Sequence, residues 1–166
     1  MFESTSQLYP VRLEINAVVY TRSIPLSMTL LEYLREELGL TGSKRGCDHG
    51  ECGCCTVLID GAAMLACLVL AVEAQGRSIR TIEGIAEGGR LHSVQEAMVR
   101  TGAIQCGFCT PAMVMAGVSL LESNAHPTRT QVKRCVSGTL CRCTGYTKIE
   151  EAVLLAAEME REKKRL

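Results

Sequence analysis

The chain has 166 residues, of which 47% are hydrophobic, so it is long enough for one domain or two small ones and too apolar to be disordered. Lys and Arg total 18, Asp and Glu total 18, aromatic residues make up 4% and Trp is absent. A neutral chain with so few rings offers little to a nucleic acid or an anionic membrane, and no segment is apolar for long enough to span a bilayer.

Met1 to Tyr9 reads as a loose lead-in, and Met1 to Val19 has neither an apolar core nor a cleavage site of a signal peptide. The expected compartment is the cytoplasm, export with a partner subunit being compatible. There, clustered cysteines point to metal more than to disulfides. Val11 to Ile15 alternates apolar and polar residues, and Val19 to Arg22 does so less cleanly. With Asn16-Ala17 as the turn, they predict a hairpin. Thr29 and Glu32 form a capping box for a helix to Leu38, stopped at Gly39. Thr56 to Asp60 is a strand, Gly61 a turn, Met64 to Val72 a second apolar run, and Ser78 to Ile82 a last short strand. That order predicts a small α+β unit with one helix across a mixed sheet. Gly84 to Arg90 reads as a linker. Beyond it Ser93 with Glu96, Thr110-Pro111, Thr128 with Gln131, and Thr147 with Glu150 open four helices, which predicts a small bundle.

The ten cysteines are concentrated in a few places. Between the first helix and the strand at Thr56, Cys47, Cys52 and Cys55 form Cys-x4-Cys-x2-Cys, with Cys67 downstream. This is the plant-type ligand spacing of a 2Fe–2S cluster. Gly46, Gly50 and Gly53 provide the open backbone that a loop wrapping a cluster needs. In the helical half, Cys106-x2-Cys109 precedes the second helix and Cys141-x-Cys143 lies between the third and fourth. Connections at alternating ends of a bundle bring these two loops to one end and four thiols to one point. Spacing alone leaves a structural zinc site open here, and a disulfide less so.

Three longer motifs carry a resemblance. Gly46 to Val57, Gln105 to Pro111 and Leu140 to Tyr146 resemble, in order and spacing, the xanthine dehydrogenase family. The likeness is to the small iron–sulfur subunit of bacterial molybdenum hydroxylases and runs from about Val11 to Ala157. It implies a β-grasp, plant-ferredoxin-like domain over residues 8–84 and a four-helix bundle over residues 90–163, each with one 2Fe–2S cluster. The first cluster would be held by Cys47, Cys52, Cys55 and Cys67, the second by Cys106, Cys109, Cys141 and Cys143. Gln105 would stand near the pterin of a partner. It further implies a large molybdenum-cofactor subunit that hydroxylates an N-heterocycle or aldehyde with water, an FAD subunit that takes the electrons, and a dimer of heterotrimers. Xanthine or a related N-heterocycle is the expected substrate of the complex. Aldehyde, carbon monoxide and aromatic acyl-CoA enzymes of the same family are the alternatives, and a stand-alone two-cluster ferredoxin or a zinc-stapled module the rivals from other classes. Cys54 stands where the family has a small residue and reads as a packed thiol, with a competing ligand role open. Cys135 reads as a buried free thiol. His49 invites a Rieske reading that lacks a paired second His, since His92 and His126 lie in unrelated contexts.

Overall fold

The structure, a computed structural model, describes residues 7–165; the first part of the expected lead-in lies outside them. Leu8 and Tyr9 belong instead to β1 (Leu8–Ile15), which pairs along its whole length with β2 (Val18–Pro25). The turn between them takes Asn16 and Ala17 to φ 53° and 62°. A residue with a Cβ is unusual there, and the next layer holds it in place. Asn16 N–H donates to Ile79 O at 2.9 Å, and its Oδ1 accepts the Thr81 N–H at 2.9 Å.

The capping box forms as expected: Thr29 Oγ1 accepts the Glu32 N–H at 3.2 Å, and the Glu32 carboxylate accepts the Thr29 N–H at 2.8 Å. The helix does not stay regular to Leu38. One α-turn, α1 (Leu30–Glu32), passes directly into a π-helical turn over Tyr33–Glu37. Leu30, Leu31, Tyr33 and Leu34 are all buried and pack into the core of the sheet unit.

Three short strands complete a mixed sheet: β3 (Thr56–Ile59), β4 (Ala62–Leu65) and β5 (Ser78–Arg80). The order is β2-β1-β5-β3-β4, with β1 and β5 parallel and the other pairs antiparallel. The run from Met64 to Val72 is mostly not a strand: only Met64 and Leu65 belong to β4, and Cys67 sits on a 3₁₀ turn over Ala66–Leu68. β5 ends before Ile82 because Thr81 bonds to Asn16 and Ile82–Gly84 tighten into another turn.

Four helices follow: α2 (Ser93–Arg100), α3 (Thr110–Ser123), α4 (Arg129–Val136) and α5 (Thr147–Lys163). Thr128 and Gln131 make the expected box. The other two caps differ. Ser93 is buried with its hydroxyl accepting from Lys163 at 3.0 Å, so His92 caps α2 through Nδ1 and Gln95 answers it. Thr147 is already helical, and Tyr146, at φ 69°, leads into α5 without a side-chain cap.

β3 joins the halves. All four of its residues are buried: Val57 and Ile59 pack into the sheet core with Leu13, Ile15 and Ile79, while Leu58 packs into the helical core with Met113 and Val114. A strand covered on both faces reads as a continuous apolar run. Ser119 Oγ, on α3, donates to Gly61 O at 2.9 Å, and Arg80 pairs with Glu122 at 2.6 Å.

Candidate metal centres

The first cysteine loop hangs between the π-turn and β3 and is tied down by arginines. Arg35 donates to Ser43 O at 2.8 Å and Thr41 O at 3.0 Å. Arg45 pairs with Glu36 at 3.0 Å and Asp48 at 3.5 Å. The loop then folds tightly on itself. The Cys52 N–H donates to Cys47 Sγ at 3.3 Å, and a Cβ at Gly46 would meet Cys52 Sγ at 2.8 Å. Backbone N–H groups of His49 first, then of Cys52 and Glu51, point at the Cys47 sulfur and bring its pKa to about 6. Cys55 and Cys67 lie deeper, with their sulfurs 3.5 Å apart. Burial, foremost, pushes Cys55 up to about 12.

The second group sits where α3 and α5 begin. Cys106 and Cys143 are exposed with sulfurs 3.4 Å apart, and buried Cys109, at the N-cap of α3, lines the same cavity with half-buried Cys141. Thr144 donates its N–H to Cys141 Sγ at 3.4 Å, and its hydroxyl lies 3.1 Å from the same sulfur. Against burial, which raises it, these contacts bring Cys141 to about 7; burial takes Cys109 up to about 12. Tyr146 pins the loop: its hydroxyl accepts the Cys141 N–H at 2.9 Å and donates to Thr139 O at 3.1 Å. Thr144 and Tyr146 were visible in the sequence only as parts of the motif Cys-Arg-Cys-Thr-Gly-Tyr; their work on the sulfur and the loop was not.

The donor set suits an iron–sulfur cluster in each place. Two thiolates on one tetrahedral metal with bonds of about 2.3 Å stand about 3.8 Å apart, close to the 3.5 Å of Cys55–Cys67 and the 3.4 Å of Cys106–Cys143. Each place therefore holds one sulfur pair at the spacing of a shared iron, with a second cysteine pair beside it. Among the described residues no three His, Cys, Asp or Glu side chains close on a single ion. N–H groups aimed at sulfur are the contacts that tune cluster potentials.

The remaining candidates fall elsewhere. Cys54 turns away from Cys67: its sulfur lies 3.7 Å from Cys52 O and 4.0 Å from Leu140 O, inside the helical core. Cys135, on α4, is half-buried rather than fully buried, and burial raises its pKa to about 11. Gln105 is exposed beside Cys106. His49 bonds to Cys47 O on the first loop, whereas His92 caps α2.

Two cysteine centres, one on a ferredoxin-like sheet unit and one among helices, define a two-cluster iron–sulfur protein. Residues 14–77 match the 2Fe-2S iron-sulfur cluster binding domain, and residues 81–154 match the [2Fe-2S] binding domain. The chain is 48% identical over 151 residues to the nicotine 6-hydroxylase small subunit of Paenarthrobacter nicotinovorans, covering 91% of each. It is 45% identical to the xanthine dehydrogenase iron-sulfur-binding subunit of Escherichia coli O157:H7, covering 90% of this chain and 94% of that one. The crystal structure of quinoline 2-oxidoreductase from Pseudomonas putida 86 contains a chain of the same fold, with a TM-score of 0.89 and 45% identity over 95% of this chain and 98% of that one. The chain belongs to the family of iron–sulfur subunits of the xanthine dehydrogenase-type molybdenum hydroxylases.

Proposed function

We propose that this chain is the electron relay of a molybdenum hydroxylase acting on an N-heterocycle. Cys47, Cys52, Cys55 and Cys67 hold one 2Fe–2S cluster, and Cys106, Cys109, Cys141 and Cys143 hold the other. When bound, each cluster supplies a one-electron carrier, while the protein supplies the N–H groups, the burial and the spacing. The observation that carries the reading is the exposed pair Cys106–Cys143 at the surface, with Cys109 and Cys141 behind it leading toward the first loop. Electrons from a molybdenum–pterin site in a large partner subunit enter there, beside Gln105, and leave through the first loop to FAD in another partner. Residues 8–84 act as a β-grasp domain and residues 90–163 as a four-helix bundle, in a cytoplasmic dimer of heterotrimers. Relatives named for nicotine, xanthine and quinoline support an N-heterocyclic substrate for the complex.

The test is to purify the chain with its partners and count metal. About four irons and four sulfides per chain are expected, falling to about two of each in Cys109→Ala. In that variant the substrate should no longer reduce FAD, although the first cluster's electron paramagnetic resonance (EPR) signal persists. Zinc in place of iron, or FAD reduction at the parent rate, overturns the reading. A stable chain that carries both clusters and is never recovered with a partner would favour a free ferredoxin.

A further inference from the structure

The loops of the two centres touch through the backbone. The Leu140 N–H donates to Cys52 O at 2.8 Å, so the residue before Cys141 is bonded directly to a cysteine of the first loop. The approach is close: a Cβ at Gly53 would lie 2.0 Å from Gly138 O and 2.8 Å from Thr139 Cα. Cys54 follows in this seam, 3% exposed, and lines a cavity of about 320 Å³ together with Cys52, Leu140, Cys109 and Cys141. Its sulfur is within thiol hydrogen-bond reach of Cys52 O at 3.7 Å and of Leu140 O at 4.0 Å. These carbonyls lie on opposite sides of the seam.

We infer that Cys54 is a positioning residue whose S–H, donated across the seam to Leu140 O, holds the two loops together and so keeps the Cys52–Leu140 hydrogen bond short. The inference rests on the two-cluster reading and goes beyond it, giving a role to a cysteine that neither cluster uses. When one electron passes between the centres, one cluster is oxidised, the other is reduced, and no proton moves. The route from Cys52 Sγ to Cys141 Sγ follows covalent bonds except at the one hydrogen bond that crosses the seam. Lengthening that bond weakens the electronic contact between the clusters while leaving all eight sulfurs in place. A thiol is a weak donor, so Cys54 acts by restraining the seam and not by adding much stability.

Cys54→Ser and Cys54→Ala test this, because their side chains are nearly equal in volume and only Ser keeps a donor. Both are made in the complete cluster-loaded protein, with iron and sulfide assayed and EPR spectra taken of each cluster reduced alone and of both reduced together. Both variants should keep the parent's iron and its single-cluster signals. The magnetic interaction in the doubly reduced protein should persist in Cys54→Ser and weaken in Cys54→Ala. Equal weakening assigns the effect to lost volume and overturns the inference, as does an unchanged interaction in both. Loss of iron from either variant makes Cys54 a ligand or a folding residue and also overturns it. A parent protein with fewer than two clusters overturns the electron-relay reading itself, whatever the two variants do.

Discussion

At the scale of single residues, the centres depend on backbone geometry as much as on sulfur. Gly53, at φ 70°, combines a left-handed backbone with a contact no Cβ can share, whereas Gly61, at φ 83°, has open space around it. Gly61→Ala should therefore meet only the backbone cost, about 1–2 kcal/mol. Gly53→Ala must also displace Gly138, so it should lower the temperature at which the clusters' visible absorption is lost by clearly more than Gly61→Ala does. Tyr146 gives a second expectation. Its hydroxyl satisfies the Cys141 N–H and Thr139 O, and Thr139 is buried. Tyr146→Phe strands both groups, at about 1–3 kcal/mol. On heating, iron should leave the second centre earlier than in the parent, with the first centre's EPR signal unchanged.

At the scale of elements, β3 is the joint between two cores. Leu58 is fully buried against the helices, while its neighbours Val57 and Ile59 face the sheet core. Leu58→Ala should cost about 2–5 kcal/mol. Because β3 begins directly after Cys55, both clusters should be released together at a lower temperature, rather than the second alone. The caps illustrate how far local chemistry reaches. Thr29 and Thr128 cap as their spacing predicts, each hydroxyl accepting the N–H three residues on. Ser93 has the same spacing, yet its hydroxyl is taken by Lys163 from α5, a residue far away in the chain. The cap moves to His92.

At the scale of the whole molecule, regular structure brackets two irregular loops. From Gly39 to Cys55 the chain has neither helix nor strand, and its anchors are arginine bonds, the Gly42 N–H bond to Glu83 and backbone bonds such as Lys44 N–H to Cys54 O. A cluster that binds only the folded loops stabilises them by its own binding free energy. Removing iron and sulfide should therefore open residues 39–55 and 138–145 to limited proteolysis, while β1 and β2 resist. Uniform resistance would mean that the loops hold their shape without metal.

The sequence by itself determined the order of elements, the hairpin turn at Asn16-Ala17, two of the helix caps and the places where the cysteines cluster. These are local matters of spacing, turn chemistry and side-chain type, which neighbours in the chain decide among themselves. Motif spacing likewise carried the family. Only the tertiary structure decided that Met64 to Val72 breaks into turns, that His92 and not Ser93 caps α2, and that Tyr146 and Thr144 serve Cys141. It also placed the Cys54 sulfur, already read as a packed thiol, within reach of Leu140 O at the seam, and the Cys55 sulfur against Cys67. The physical reason is common to all of these: each depends on a partner distant in sequence, and a hydrogen bond or a packed face is committed only when the chain brings that partner within reach.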